Sequence, residues 1–171
     1  MARAALAQLE LEKILWMPTG DPRYRQAPVA SGEHRLAMLR LALGSQPESE
    51  IDTRELAPGA SGYTVDALLE LRLELGRETT MILLLGADQY GKLGAWHRPE
   101  EVKRLAKIAV CRRPGFEQKI GREILPVEMP PMAVAGSEIR ARVARREPID
   151  AMVPAAVASY IAEHSLYRQP R

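Results

Sequence analysis

Apolar residues recur along the chain in two rhythms, one near every third or fourth position and one in short unbroken runs. The first twelve residues are Ala-rich, with Leu6 and Leu9 three apart and no Gly or Pro, and predict a helix. Lys13-Ile14-Leu15-Trp16-Met17 is an apolar run closed by Pro18-Thr19-Gly20, which predicts a buried strand ending in a turn. Residues 21–32 read as loop. A helix is predicted over 33–43, with Leu36, Leu39 and Leu43 on one face and Gly44 as its stop. Residues 51–56 alternate and predict a strand. After the turn-rich residues 57–62, Thr64 is placed to cap a helix that carries Val65, Leu68, Leu71 and Leu75 and ends at Gly76. Residues 81–85 are apolar on both faces, as a central parallel strand requires, and Gly86-Ala87-Asp88 follows at once. A helix over 99–105, strands over 107–111 and 123–129, and helices over 137–146 and 154–163 complete the pattern.

Strand and helix alternate, so the expected architecture is a single α/β domain, residues 1–171, with a mainly parallel sheet covered by helices on both faces. Such sheets bind ligands at the carboxyl ends of their strands. Three segments lie there: Pro18-Thr19-Gly20, Gly86-Ala87-Asp88 and Arg112-Arg113-Pro114-Gly115. Lys+Arg of 24 against Asp+Glu of 22 leaves a net charge of +2, which gives no electrostatic footprint for nucleic acid. Cys111 is the single cysteine, so an intramolecular disulfide is excluded, and the count suits a reducing, cytoplasmic setting. No apolar run approaches the ~18 residues of a membrane span. The first ten residues, with an acid at Glu10, do not read as a secretory signal.

Gly86-Ala87-Asp88-Gln89-Tyr90-Gly91-Lys92-Leu93 nearly matches a phosphate-binding loop, and with it a phosphate-loop NTPase, but Leu93 stands where a hydroxyl should meet magnesium. The plainer reading is a strand-end turn that aims Asp88 at the crevice. In Gly136-Ser137-Glu138-Ile139-Arg140, a serine at a helix start and an arginine one turn on suit an anion, with Arg142, Arg145 and Arg146 adding a basic face. A capped surface helix with solvated arginines is the alternative. Trp96 suits either stacking on a ligand ring or anchoring its loop on the core. His34, His97 and His164 are never three or four apart, so no helical metal pair is expected and no metal site is assigned.

Several segments in order carry a joint pattern: Pro18-Thr19-Gly20, Glu33-His34-Arg35-Leu36-Ala37-Met38-Leu39, Gly62-Tyr63-Thr64-Val65-Asp66, Gly86-Ala87-Asp88, Trp96, Arg113-Pro114-Gly115, Ser137-Glu138-Ile139-Arg140, and Val153-Pro154 through Tyr160-Ile161 to Leu166-Tyr167. On these residues the chain resembles the bacterial nicotinate-nucleotide adenylyltransferases, of the nucleotidyltransferase superfamily, over essentially all its length. The resemblance implies a Rossmann-like, doubly wound parallel sheet. It implies adenylyl transfer from ATP, with Mg2+ as cofactor, to nicotinate mononucleotide. Tyr63 and Thr64 are then expected at the nicotinate end, the latter largely through backbone N–H, with Trp96 stacked on the pyridine ring. Gly86 and Asp88 are expected at the adenosine ribose, and Ser137, Ile139 and Arg140 at the ATP phosphates, Arg140 as the charge that stabilises transfer. Arg25 takes the place of the lysine in the family's P-P-H-K, and Arg113 reaches a substrate charge. ATP and nicotinate mononucleotide are the expected partners, with no nucleic acid and no membrane.

The departures carry expectations of their own. The family's opening strand, G-G-T-F-D-P, and its H-x-G-H do not occur in residues 1–171, and Met1 falls well inside the first helix of that pattern. In the family that strand is central, so the strands at Ile14 and Ile82 are expected to lack a shared neighbour. The family's I-S-S-T-x-I-R stands here as Val134-Ala135-Gly136-Ser137-Glu138-Ile139-Arg140, with one hydroxyl kept, and its H-K stands as Tyr24-Arg25. Two readings follow: an enzyme whose start lies upstream, or a truncated product that binds nucleotide without catalysing. Residues 1–171 by themselves are expected to be inactive or nearly so.

Overall fold

A computed structural model describes residues 1–20, 29–112, 123–130 and 134–168. The elements are α1 (Ala2–Gln8), β1 (Ile14–Trp16), α2 (Gly32–Leu43), β2 (Ser49–Ile51), α3 (Thr64–Leu75), β3 (Ile82–Gly86), α4 (Ala87–Tyr90), α5 (Pro99–Leu105), β4 (Lys107–Arg112), β5 (Leu125–Glu128), α6 (Gly136–Ala144) and α7 (Ala155–Glu163). They fall into two compact units, Met1–Ile14 with Ser61–Met132, and Leu15–Ala60 with Ala133–Arg171.

The first unit is built on β3, β4 and β5, which pair in parallel in that order. Ile108, Ala109, Val110 and Cys111 of β4 are all buried, as the unalternating apolar run requires of a strand covered on both faces. On one face α1 packs through Ala5 against Ala109, Cys111, Val127 and Met129, with Ile82 and Leu84 at the margin. The small side chains let the helix approach closely. Gln8 then acts as a piece of strand: its amide nitrogen donates to the Glu128 carbonyl at 2.8 Å, and its amide oxygen accepts from the Glu128 N–H at 2.9 Å. Beyond the sheet, α3 packs on α5, and α5 on β4. One guanidinium, that of Arg72, donates to the carbonyls of Gly76, Thr79 and Leu105 and so ties the end of α3 to the end of α5.

The second unit holds a two-stranded sheet of β1 and β2. Trp16 locks the pair by donating its indole N–H to Ser49 Oγ at 3.1 Å. Its core is Val143, Ile149, Val157 and Ile161, with Met38, Ile139 and Tyr167 packed against it, which binds α2, α6 and α7 together.

The α/β class and the parallel pairing of β3, β4 and β5 agree with expectation. Several local expectations need correction. The strand expected over 51–56 ends at Ile51, and a 3-10 turn follows at Arg54–Leu56. The reason is Asp52, whose carboxylate accepts the Arg54 N–H at 2.9 Å and its guanidinium N–H at 2.6 Å, pulling the chain out of the strand. Neither Thr64 nor Ser137 caps its helix. Tyr63 and Ala135 hold those positions without a side-chain bond, because α3 starts one residue and α6 two residues earlier than capping would need. The helix α2 does have a cap, Ser31, whose hydroxyl accepts the His34 N–H at 3.3 Å. The strand at Ile14 is half-buried throughout rather than buried.

Cys111 is 2% exposed, and burial pushes its thiol above the ordinary range, with the nearby α-amino group of Met1 only partly opposing. Native chain treated with an aromatic disulfide reagent at neutral pH should therefore label only as fast as it unfolds. Rapid stoichiometric labelling in the absence of denaturant would show that α1 does not seal this face.

Candidate active site

In the first unit, β3 ends at Gly86, paired with Cys111, and α4 begins at the next residue. Gly86 has an ordinary extended φ of −75°, so its need for glycine is spatial. A Cβ there would come within 2.9 Å of Asp88 Oδ1, because the exposed Asp88 carboxylate folds back over the strand end. The phosphate-loop reading fails on this geometry. Residues 87–90 are helical, so no open loop of N–H groups cradles an anion, and Leu93 is buried at 3% exposure.

Leu93 is also the residue that anchors the following loop. Trp96 is left half-buried, its backbone N–H held by the Leu93 carbonyl at 3.0 Å. Two contacts bring the Tyr63–Thr64 turn to this loop. The Tyr63 ring stacks on His97, centroids 4.3 Å apart and planes 28° apart. Asp66, on the first turn of α3, pairs with Arg98 at 3.9 Å, and Arg98 also pairs with Glu101. Gly62 enters the turn at φ +71°, in the left-handed region that favours glycine. The turn and the tryptophan loop are thereby neighbours, with an aromatic pair between them. The sequence weighs His97 only as a metal ligand, because nothing in the spacing from 63 to 97 foretells a stack.

In the second unit, α6 carries Ser137 on its first turn, exposed, with Arg140 one turn on. The Arg140 guanidinium lies over the helix start, its Nη1 3.3 Å from where a Cβ on Gly136 would stand. Ile139 faces inward onto the core, and its N–H is taken by the Ala135 carbonyl at 3.1 Å. The basic face expected of α6 is largely neutralised. Arg142 pairs with Glu138 at 3.2 Å, and Arg145 with Glu147 at 2.7 Å and Glu138 at 3.4 Å. The Arg145 hydrogen bond holds the Glu147 carboxyl below the usual carboxylate range. Arg140 has no such partner among the described residues. Arg25 and Arg113 lie outside the described residues.

Two of the histidines come together where sequence spacing gave no pair. His34 on α2 and His164 after α7 have ring centroids 5.0 Å apart, and the Tyr160 hydroxyl lies 3.0 Å from His34 Nδ1. Among the described residues no group of three or more His, Cys, Asp or Glu is arranged to hold a metal ion. No helix among them is long and apolar enough to cross a membrane.

The chain matches the cytidylyltransferase-like family over residues 1–142. It is 34% identical to a protein of Chromobacterium violaceum named "probable nicotinate-nucleotide adenylyltransferase", over 98% of this chain and 90% of that one. A protein of the same name from Stenotrophomonas maltophilia is 36% identical over 99% of this chain and 90% of its own length. Among solved structures, the nicotinic acid mononucleotide adenylyltransferase of Plasmodium falciparum, complexed with NaAD, superposes with a TM-score of 0.79 at 16% identity, covering 98% of this chain and 88% of that one. At that identity the likeness is one of fold.

The Tyr63–His97 stack predicts a measurable coupling. In a double-mutant cycle of Tyr63→Leu and His97→Ala, thermal or denaturant unfolding should give an interaction energy of about 0.5–1.5 kcal/mol. Strictly additive effects would mean that the rings touch without holding the turn to the loop.

Proposed function

The chain belongs to the nicotinate-nucleotide adenylyltransferase family, and we propose that it transfers the adenylyl group of ATP to nicotinate mononucleotide, giving deamido-NAD and pyrophosphate in NAD biosynthesis. The observation that carries the reading at the site is the joining of the Tyr63–Thr64 turn to the Trp96 loop by the Tyr63–His97 stack. A flat aromatic wall beside the start of α3, which Thr64 opens, suits a pyridine carboxylate. The near full-length relatives of that name support the same substrate pair.

In this reading a phosphate oxygen of the mononucleotide attacks the α-phosphorus of ATP. The bond from that phosphorus to the bridging oxygen breaks, and pyrophosphate leaves with the bond's electron pair. No covalent enzyme intermediate forms, so the protein's task is positioning and charge stabilisation. Trp96 stacks on the pyridine, while Tyr63 and Thr64 hold its carboxylate end. Gly86 brings the chain close to the ribose of ATP, and Asp88 accepts from its hydroxyls. Ser137 and Arg140 hold the phosphates, with Ile139 keeping α6 seated on its core. Arg25 and Arg113 add charge at the mononucleotide. We read residues 1–171 as one nucleotidyltransferase domain, since the relatives match across it. Mg2+ enters as part of the substrate, carried by the oxygens of the triphosphate as MgATP.

A second reading is nucleotide binding without turnover by residues 1–171. Removing even one preorganised donor of the kind H-x-G-H supplies costs about 2.7–4 kcal/mol of barrier. Calorimetric titration and pyrophosphate release on residues 1–171 separate the two. Binding of MgATP and nicotinate mononucleotide is expected, with any release dependent on the latter. Release with phosphopantetheine, and with neither pyridine mononucleotide, would overturn the acceptor. Binding of both nucleotides with no release would establish the second reading.

Two substitutions test the roles. Trp96→Ala should weaken the mononucleotide by up to about tenfold and leave ATP nearly unchanged, the worth of one stacked ring. Equal weakening of both, or only a lower melting temperature, would make Trp96 a structural residue. Arg140→Lys keeps charge but loses the planar fork, so ATP affinity or turnover should fall with stability nearly unchanged. Unaltered kinetics across an ATP titration would remove Arg140 from the phosphate site.

A further inference from the structure

Arg35 sits on the first turn of α2, and its guanidinium is divided between two jobs. Its Nε donates to the Ala30 carbonyl at 3.2 Å, and Nη1 donates to the Thr19 carbonyl. The remaining nitrogen, Nη2, is buried and has no hydrogen-bond partner, and it is the one buried side-chain polar atom so placed among the described residues. No carboxylate pairs with Arg35 there either. A guanidinium cannot shed its proton, so this is a fixed positive charge with two N–H donors desolvated and unused. Leaving such donors unmet costs free energy, and the cost persists only where something else repays it.

The surroundings point to what that is. Tyr167 packs on the core of the same unit beside Met38 of α2 and Ile139 of α6. Its backbone is held at φ +62°, with Ser165 at +51°, so a bulky side chain is kept in the left-handed region by its packing. Burial raises the Tyr167 phenol, while Arg140 and Arg35 both pull it back down. Neither arginine has an acidic partner among the described residues, although Arg142 and Arg145 on the same helix α6 are both paired.

We propose that Arg35 is a phosphate-binding residue, its Nη2 donating to a phosphate oxygen held jointly with Arg140 and the Tyr167 hydroxyl. The inference rests on the adenylyl-transfer reading, which supplies phosphate from either the triphosphate of ATP or the 5′-phosphate of the mononucleotide. Placement with Arg140 in one unit favours the triphosphate. The two carbonyl bonds fix the guanidinium plane, so the free edge is aimed before the ligand arrives.

The test is calorimetric titration of wild type and Arg35→Lys with MgATP, pyrophosphate and nicotinate mononucleotide, with melting temperatures alongside. The lysine keeps the charge and loses the fork. Pyrophosphate and MgATP should bind about tenfold or more weakly to the variant, with the mononucleotide little changed. A loss confined to the mononucleotide would keep Arg35 at a phosphate and assign its source. Wild-type affinity for all three ligands, with only a lower melting temperature, would overturn the proposal and leave Arg35 a clasp between Thr19 and Ala30. If wild type itself binds none of the three, the adenylyl-transfer reading fails and this inference with it. Should the lysine variant not fold, the side-chain ¹⁵N resonances of wild-type Arg35 give the answer. Their shift on adding pyrophosphate supports the site, and no shift while the Ser137 amide moves overturns it.

Discussion

Four consecutive buried residues, Ile108 to Cys111, make β4 a strand that must be covered on both faces and paired along both edges. An apolar run of this kind gains burial only if helices close over it, and its N–H and C=O groups need neighbours on each side. β3 and β5 supply the edges in parallel, and α1 supplies one face through residues small enough to sit close. Gln8 completes the seal on the outer strand, where its amide takes both backbone groups of Glu128. The register that results is the constraint on which the chemistry depends. It sets Gly86 opposite Cys111, and so fixes where the chain leaves the sheet and where Asp88 folds back.

From that point the first unit builds its site from short-range contacts between segments far apart in sequence. Leu93 takes the core position and leaves Trp96 half-exposed. The stack of Tyr63 on His97 and the pair of Asp66 with Arg98 then hold the start of α3 against the tryptophan loop. Each is individually worth little, since an exposed ion pair contributes about 0–1 kcal/mol and an aromatic pair about 0.5–1.5 kcal/mol. Their value lies in orientation: two contacts fix a turn where one would leave it free to pivot.

The sequence made the helices and the buried strands legible because their signals are local and repeated. The helix over 99–105 was read to the residue, with Pro99 at its first position and two acids in its first turn. The strand at 81–85 was displaced by one, since Gly86 is extended enough to keep pairing. Residues 51–56 misled because alternation reports only which way side chains point, whereas Asp52 competes for the backbone itself. Of the candidate site, the segments were legible through resemblance, but their partners were not. His97 under Tyr63, His164 beside His34, and Gln8 on Glu128 are joined across 34, 130 and 120 positions. No periodicity carries such information.

Charge bookkeeping on α2 and α6 shows how the same residue type takes opposite roles within one unit. Sequence alone offered four arginines on α6 and the turn after it as one basic face. The structure divides them by geometry. Arg142 and Arg145 face Glu138 and Glu147 in solvent, where pairing is cheap, weak and self-contained. Arg140 turns back over Gly136, the one residue there with no Cβ to obstruct it, and has no acid among the described residues to answer it. Arg35 is held harder still, by two carbonyls that satisfy hydrogen bonds but not charge. A carbonyl dipole leaves the cation's net charge in place, so what remains at Arg35 is a positive charge in a partly desolvated place. Folding does not require it, since an apolar side chain could fill the same volume without the desolvation cost. With Arg35 as the phosphate-binding residue we propose, an anion that arrives with the substrate supplies the balance.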